Sequence, residues 1–443
     1  MKKIITLLSL MMCMLATAQE KTDAEYMYIF HNNETIERIE ISKIDSVTFV
    51  DPYMNIKPSL PKVYITTPNG VGITSKTVWM ENCTIRIIDE YGTEKLNINA
   101  SIKGRGNTTW TDYPKKPYAI KLDSKSEVLG MPKHKRWVLL ANWMDRTLLR
   151  NDVAFEMARR IMDWAPRGKF VELYLNDVHK GNYYLCEQIK VDKNRVNIDE
   201  LDEKTDFTDA SQITGGYILE YDKNNPITGE INYFYSKIKN YPITIKEPDE
   251  EVITSHEHPG FLYIQEYINN LEQLFEDDKN EKVRWSEIKE LIDVKSYIDW
   301  WLVHELTFNR EPAHPKSSYM YKKGNGKLYA GPVWDFDCGT FQINTTIGLP
   351  IVLYNKYLFK YTEFKLAVKE RWAEVKETFA DIDNYILKQA ELIKSSNEAN
   401  IKKWPITQSV NGDEKMTFDE AIERMRLAYK TRMETIDSHI SAF

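Results

Sequence analysis

Residues 298–341 read IDWWLVHELTFNREPAHPKSSYMYKKGNGKLYAGPVWDFDCGTF. The run opens as a helix with almost no polar stripe. Tyr297, Ile298, Trp300, Trp301, Leu302, Val303 and Leu306 cover most of its circumference, the pattern of a helix buried on most sides. It stops near Asn309, where Pro312 and Pro315 break a short polar loop. Residues 318–323 and 327–334 then read as two strands joined by Gly324-Asn325-Gly326, the turn chemistry of a β-hairpin. Asp335 and Asp337 stand where the second strand ends, and Gly339 releases the chain. A rigid scaffold therefore ends in two carboxylates two residues apart. At a turn such a pair can converge on one hard cation through oxygen; the plainer alternative is a turn cap, because turns favour Asp.

The chain around this stretch has 443 residues, more than one core usually holds, so two lobes or domains are expected. A hydrophobic content of 42% with 12% aromatic residues describes a folded globule. The 59 Lys and Arg against 66 Asp and Glu leave a charge of −7, a mild acidity that argues against a nucleic-acid partner. Residues 1–18 have the form of a secretory signal: Lys2-Lys3, an apolar run over 4–15, and Ala16-Thr17-Ala18 before Gln19. That run is short for a membrane span, and no later stretch is apolar enough to cross a bilayer. The expectation is an exported protein, periplasmic, cell-surface or secreted, cleaved near Ala18. Met11 and Met12 before Cys13 argue against lipid attachment there. Cys83, Cys186 and Cys338 remain, an odd number, and read as buried free thiols. The histidines form no H-E-x-x-H or Cys/His cluster, so no zinc site is expected; His304, on the buried helix, reads as a core residue.

Upstream, residues 24–50 alternate through Tyr26, Tyr28, Phe30, Ile36, Ile39, Ile41, Ile44, Val47 and Phe49, which predicts a small module of three strands. Pro52, Pro58 and Pro61 mark a linker over 51–61. A β-rich region follows. Between Lys103 and Arg136 nine basic residues (Lys103, Arg105, Lys115, Lys116, Lys121, Lys125, Lys133, Lys135, Arg136) face three acids (Asp112, Asp123, Glu127), a local net of +6. Beside Gly104-Arg105-Gly106-Asn107 such a cluster suits a phosphate; the plain alternative is a solvated basic face. Tyr118, Ile120 and Leu122 share one face of a strand, and Lys121 projects from the other. A helix is expected over 147–162 with Leu149, Val153, Met157 and Ile161 as its core stripe, leaving Arg150 and Asp152 free for polar work. Residues 169–175 and 182–189 predict a hairpin across 176–181, with Glu187 at its exit. Residues 222–260 read as loop, and 261–308 and 356–443 as helical.

The runs KGRGNTTW, KKPYAIKL, LGMPKHKRWVLLANWMDRTLLRNDVA, VELYLNDVHKGNYYLCEQIKV and GPVWDFD together resemble the CotH family of secreted or surface atypical kinases, over about residues 61–340. The resemblance implies an α+β, two-lobed protein-kinase-like fold preceded by the small β module. A signal peptide over 1–18 and the module with its linker over 19–57 would precede a kinase-like domain over 58–340. Its β-rich N-lobe would cover 61–186 and a mainly helical C-lobe would start at 187 and continue through 341–443. It also implies ATP and a divalent metal, Mg²⁺ or Mn²⁺, used to phosphorylate Ser or Thr of a secreted or surface protein. Carried over by motif, Lys121 or Lys116 resembles the phosphate-binding lysine. Arg105 and Arg150 resemble supporting cations, Glu187 takes the hinge side, and Asp335 and Asp337 resemble the metal carboxylates, Asp335 also standing with the catalytic residues. The chain departs from the family pattern at Asn309-Arg310-Glu311, where an Asn-x-Asp is usual, and at Lys316-Ser317-Ser318, where an Asn is usual. Glu311 is thus the candidate catalytic base. Two other functions fit the same residues: a non-catalytic surface protein using Trp110 and Trp143 against a polysaccharide or partner, and a metal-dependent phosphoester hydrolase.

Overall fold

A computed structural model describes residues 26–30, 36–44, 47, 59–224, 231–276, 281–348 and 352–443. The signal segment, Cys13 and most of the linker lie outside these residues. The chain divides into two compact units, 1–57 and 58–443. In the first, β1 (Tyr26–Phe30) and β2 (Ile36–Glu40) pair antiparallel with Tyr26 opposite Glu40, and one 3-10 turn, Ile41–Lys43, follows. The run expected as a third strand falls mostly outside the described residues.

The second unit begins with a closed barrel. Its strands are β3 (Lys62–Thr66), β4 (Met80–Ile88), β5 (Glu94–Gly104), β6 (Tyr118–Val128), β7 (Met131–Leu140), β8 (Gly168–Leu175) and β9 (Val178–Glu187), in the order β3-β4-β5-β6-β7-β9-β8. A parallel pairing of β3 with β8, Val63 opposite Leu173, closes the ring and leaves no free edge. Val63, Ile85, Ile120, Leu122, Leu139, Leu173 and Tyr183 fill the interior at alternate positions. The other face of β7 and β9, with Val138, Leu140, Tyr184 and Cys186, is buried in a second core beside helix α1 (Arg150–Ile161). The β8–β9 turn is tighter than the sequence suggests. Leu175 pairs with Val178, so only Asn176 and Asp177 are left, with φ of 51° and 60°. Asn and Asp tolerate that left-handed backbone, which a two-residue hairpin of this twist requires.

Beyond the barrel, β10 (Tyr217–Tyr221), β11 (Tyr233–Tyr235), β12 (Pro242–Glu247), β13 (Ser318–Lys322) and β14 (Leu328–Ala330) form a second sheet in the order β11-β12-β10-β13-β14. Two of these strands lie in the stretch that reads as loop. Helices α2 (Pro259–Leu274), α3 (Glu281–Leu291), α4 (Val294–Leu306), α5 (Thr362–Val375), α6 (Ile382–Lys403) and α7 (Phe418–Ser441) complete an α+β unit. Asp293 caps α4 by accepting from Ser296 N at 2.8 Å, and every residue of α4 from Tyr297 to Leu306 is buried. Strand β14 stops at Ala330, short of the expected Trp334, because Gly331 turns at φ 112° and Pro332 has no N–H to give the ladder. Cys83, Cys186 and Cys338 are free thiols. Among the described residues no helix is long and apolar enough to cross a membrane.

Candidate functional site

The carboxylate pair sits in an irregular segment after β14, and the fold fixes that segment from three sides. Asp335 itself adopts φ 68°, a left-handed conformation that Asp tolerates better than most residues. Asn309, wholly buried at the end of α4, donates to Asp335 O at 3.2 Å and accepts from Glu311 N at 3.0 Å. One amide thus spaces the Glu311 turn against the Asp335 backbone. Asn151 on α1 accepts from Phe336 N at 2.8 Å. Asn411, from between α6 and α7, donates to Asp337 O at 2.9 Å and accepts from Gly339 N at 2.7 Å. The side chains of Asp335 and Asp337 share a hydrogen bond, and Ser317 Oγ donates to Asp335 Oδ2 at 3.2 Å. Burial, and then the neighbouring Asp335, push the Asp337 carboxyl well above the usual carboxylate range.

This segment lines a cleft of about 290 Å³ together with Arg105, Gly106–Thr109, Lys115, Glu220, Asp222, Glu311 and Lys316. Arg105, following β5, lies with its guanidinium carbon 5.2 Å from the centre of the Trp334 ring. Glu311 is half-buried and pairs with Lys316 at 3.4 Å; burial and then Asp335 raise its pKa, and Lys316 opposes them. Asp222, just past β10, is raised to about 6 by burial and then by Glu220. Lys115 is fully buried and donates to Ala141 O at 2.7 Å and to Asn182 O; burial lowers it to about 7.

Of the residues singled out in the sequence, Arg105, Glu311, Asp335 and Asp337 meet at this cleft, whereas Lys116, Lys121, Arg150, Asp152, Glu187 and Trp110 do not line it. Lys121 is exposed on β6, because its strand neighbours Ile120 and Leu122 take the barrel interior. Lys116 is half-buried and donates to Trp110 O at 2.5 Å. Arg150 is not free for polar work at a surface. It is buried between Asp145 and Asp413, the latter at 2.5 Å, because α1 is packed on every side there. Asp152, two residues on in the same turn of α1, is likewise buried and accepts from Tyr184 and Tyr385. Glu187 is buried under Arg167, which reaches it at 2.8 and 2.7 Å. Trp143 is buried against Tyr113 and Trp110 is half-buried, so neither offers an open aromatic platform. His304 is a core residue, stacked on Phe336 and lowered to about 3 by burial.

Sequence reasoning names Asn309 only as part of the Asn309-Arg310-Glu311 run and passes over Asn151, Asp222 and Asn411. Asp222 had a signal, an acid at the end of the apolar run YILEYD. Asn411 had none, since it lies 74 residues from the backbone oxygen it holds.

The donor set fits a hard cation with a polyanion. Asp335, Asp337 and Glu311 offer oxygen only, and the close carboxylate pair is a charge conflict that a divalent ion relieves. Arg105, Lys115 and Lys316 supply the positive side of the same cleft. Among the described residues no three His, Cys, Asp or Glu side chains group so as to hold a metal by themselves. Remaining oxygens would come from a phosphate-bearing ligand and water, the usual manner of Mg²⁺. Compared with known proteins, residues 102–436 match the family model described as CotH kinase protein. No curated protein matches the chain.

Proposed function

This chain belongs to the CotH kinase family, and from that premise we propose that it is an exported, metal-dependent kinase carrying the γ-phosphoryl group of ATP to a Ser or Thr hydroxyl of a secreted or surface protein. In this proposal the barrel and the helical body act as the two lobes of a kinase-like fold. The observation that supports it most is the like-charged pair Asp335–Asp337, facing a cleft whose other wall carries Arg105 and Lys115.

Bound Mg²⁺ or Mn²⁺ would neutralise phosphate oxygens and orient them for in-line transfer. The chain's own residues do the rest. Asp335 and Asp337 hold the cation through oxygen, and Asn309, Asn151 and Asn411 keep their backbone in place. Arg105 and Lys115 face the ligand's negative charge. Lys115, lowered to about 7, takes up a proton as a polyanion arrives. Glu311 accepts the hydroxyl proton, and its raised pKa makes it a stronger base than an ordinary carboxylate.

The non-catalytic alternative draws on a separate observation: backbone carbonyls occupy Lys115 and Lys116, and carboxylates occupy Arg150, which leaves fewer free cations for a triphosphate. The experiment is incubation of the mature protein with γ-labelled ATP and Mg²⁺ or Mn²⁺. Label on protein Ser or Thr is expected. Release of free phosphate alone points to the hydrolase, and no nucleotide-dependent stabilisation leaves only the binding protein.

A further inference from the structure

A second cavity, of about 460 Å³, shares no lining residue with the cleft. The end of α1, the loop after β9 and the β13–β14 hairpin enclose it, through Asp163, Trp164, Arg167, Lys193, Arg195 and Lys323 among others. Two of its donors are buried and have no hydrogen-bond partner among the described residues: Nη2 of Arg195 and the indole Nε1 of Trp164. The rest of the Arg195 head is committed. Its Nη1 donates to Arg136 O at 2.9 Å and Gln188 O at 2.8 Å, and its Nε lies 3.6 Å from Glu187. Arg195 is 3% exposed. A buried N–H left unsatisfied has lost its water and gained nothing in return, so two beside one cavity are a double cost that an acceptor would remove.

The charge balance says what kind of acceptor. Arg167, Lys193, Arg195 and Lys323 bring four positive charges. Glu187, beneath, answers Arg167 and Arg195, and Asp163 answers Lys323 at 3.2 Å. Asp192 also bears on Arg195, but it is itself met by Lys125 at 3.6 Å. With that pair counted, five cations against three carboxylates leave +2. Burial lowers Arg195 to about 10 despite Glu187 and Asp192, so its charge is incompletely compensated as it stands. A carboxylate would meet half of that excess; a phosphoryl group, near −2 at neutral pH with three acceptor oxygens, meets all of it and can take both orphan donors.

We propose that this cavity is a binding site for a phosphoryl dianion. The proposal stands independently of the cleft and of any transfer reaction there. The dianion can come from free phosphate or from a phosphorylated Ser side chain, and the test separates the two. Full-length mature protein is titrated with inorganic phosphate, with a phosphoserine peptide and with its unphosphorylated twin. The readout is the ¹⁵N–¹H indole resonance of Trp164, assigned by its loss in Trp164→Phe.

Either phosphoryl ligand should shift that resonance, and the unphosphorylated peptide should not. Tighter binding of the phosphopeptide assigns a protein source, and equal binding assigns free phosphate. The paired change Lys193→Ala with Lys323→Ala removes two side chains at the rim and should weaken binding about tenfold or more. Asp335→Asn, in the other cavity, should leave this titration unchanged. An unmoved Trp164 signal, undiminished affinity in the paired variant, or loss of the effect in Asp335→Asn would each overturn the assignment.

Discussion

Two aspartate pairs illustrate opposite ways of burying negative charge. Asp145 and Asp413 close on the guanidinium of Arg150, and all three side chains are within 1% of full burial. Burial opposes the charge on Arg150, but Asp145 and Asp413 outweigh it and hold the guanidinium above its ordinary value. Asp335 and Asp337 instead meet each other, and among the described residues no Lys or Arg forms an ion pair with either. The first pair has a cation built into the chain, which meets its charge from within the fold. The second has none among the described residues, shares a hydrogen bond instead and faces a cleft, which is the opening that the proposed cation would use.

Breaking the first pair should give the largest effect. Removing one partner of a buried ion pair strands the others and typically costs 3–5 kcal/mol, roughly, even though swapping the whole group for apolar residues can be neutral. Arg150→Met is expected to lose about that much stability by urea denaturation and to lose cleft binding with it. A loss under about 1 kcal/mol would mean that the triad is not charged as drawn.

The contrast between these pairs also marks what the sequence could reveal. Trp300, Trp301 and their neighbours announced α4 as buried, and the alternation of Tyr118, Ile120 and Leu122 announced β6. Both are local patterns, set by side chains on adjacent turns or alternate positions. Closure of the barrel is not local. It joins residues 62–65 to 172–175, more than a hundred positions apart, and leaves no trace in either strand alone. The same limit explains the cations. Arg150 lies off the apolar stripe of its helix and reads as free, because one of its two partners, Asp413, is 263 residues away. Lys121 was correctly assigned to the face opposite Ile120, but only ring closure makes that face the outside. The carboxylate pair and Glu311 were legible because their scaffold, α4 and the hairpin β13–β14, is contiguous with them.

Glu311 stands between the two pairs, half-buried with Lys316 at 3.4 Å. If it is the base, Glu311→Gln should lower phosphoryl transfer about 10²–10⁴-fold while leaving nucleotide binding in place. The sign of the pH dependence follows from its raised pKa. The base works ionised, so the rate rises with pH along a limb displaced above the ordinary carboxylate range. Lys316→Ala removes the main attraction that opposes burial and Asp335, and should move that limb further up. A limb at the ordinary position, unmoved by Lys316→Ala, would remove Glu311 from the reaction.

The second pair can be tested without activity. Asp337→Asn relieves the repulsion, so the apoprotein should melt at the wild-type temperature or above it. Asp337 has a raised folded-state pKa, so its stabilising contribution is full below the unfolded pKa and is lost as pH rises through the folded one. The gain from Asp337→Asn should therefore grow with pH. With MgATP at a hundred times its Kd, wild type should gain about 2.7 kcal/mol and both Asp335→Asn and Asp337→Asn should gain almost none. If either variant melts equally lower with and without ligand, the pair is a turn cap and the contrast with Asp145–Asp413 collapses.

Ser317 gives the smallest effect and the finest test. Of the two serines before β13, Ser318 turns its hydroxyl back to Lys316 O at 3.0 Å, whereas Ser317 donates to Asp335 at 3.2 Å. Ser317 also has φ 43°, a left-handed backbone in which Asn is more at ease than most side chains. Ser317→Asn should therefore change apoprotein stability by no more than about 0.5 kcal/mol. Its amide oxygen would offer the cleft another hard ligand beside Asp335 and tighten Mg²⁺ or Mn²⁺ binding by something on the order of tenfold. Ser317→Ala deletes the hydrogen bond instead, costing about 1 kcal/mol or less, and should leave metal affinity at or below wild type. Titration of the metal by calorimetry on the three proteins decides the matter. Asn above Ser, with Ala no better than Ser, means that a cation sits against Asp335. Three equal affinities would mean that Ser317 merely ties down a loop, and that the uncompensated pair is satisfied by its shared proton alone.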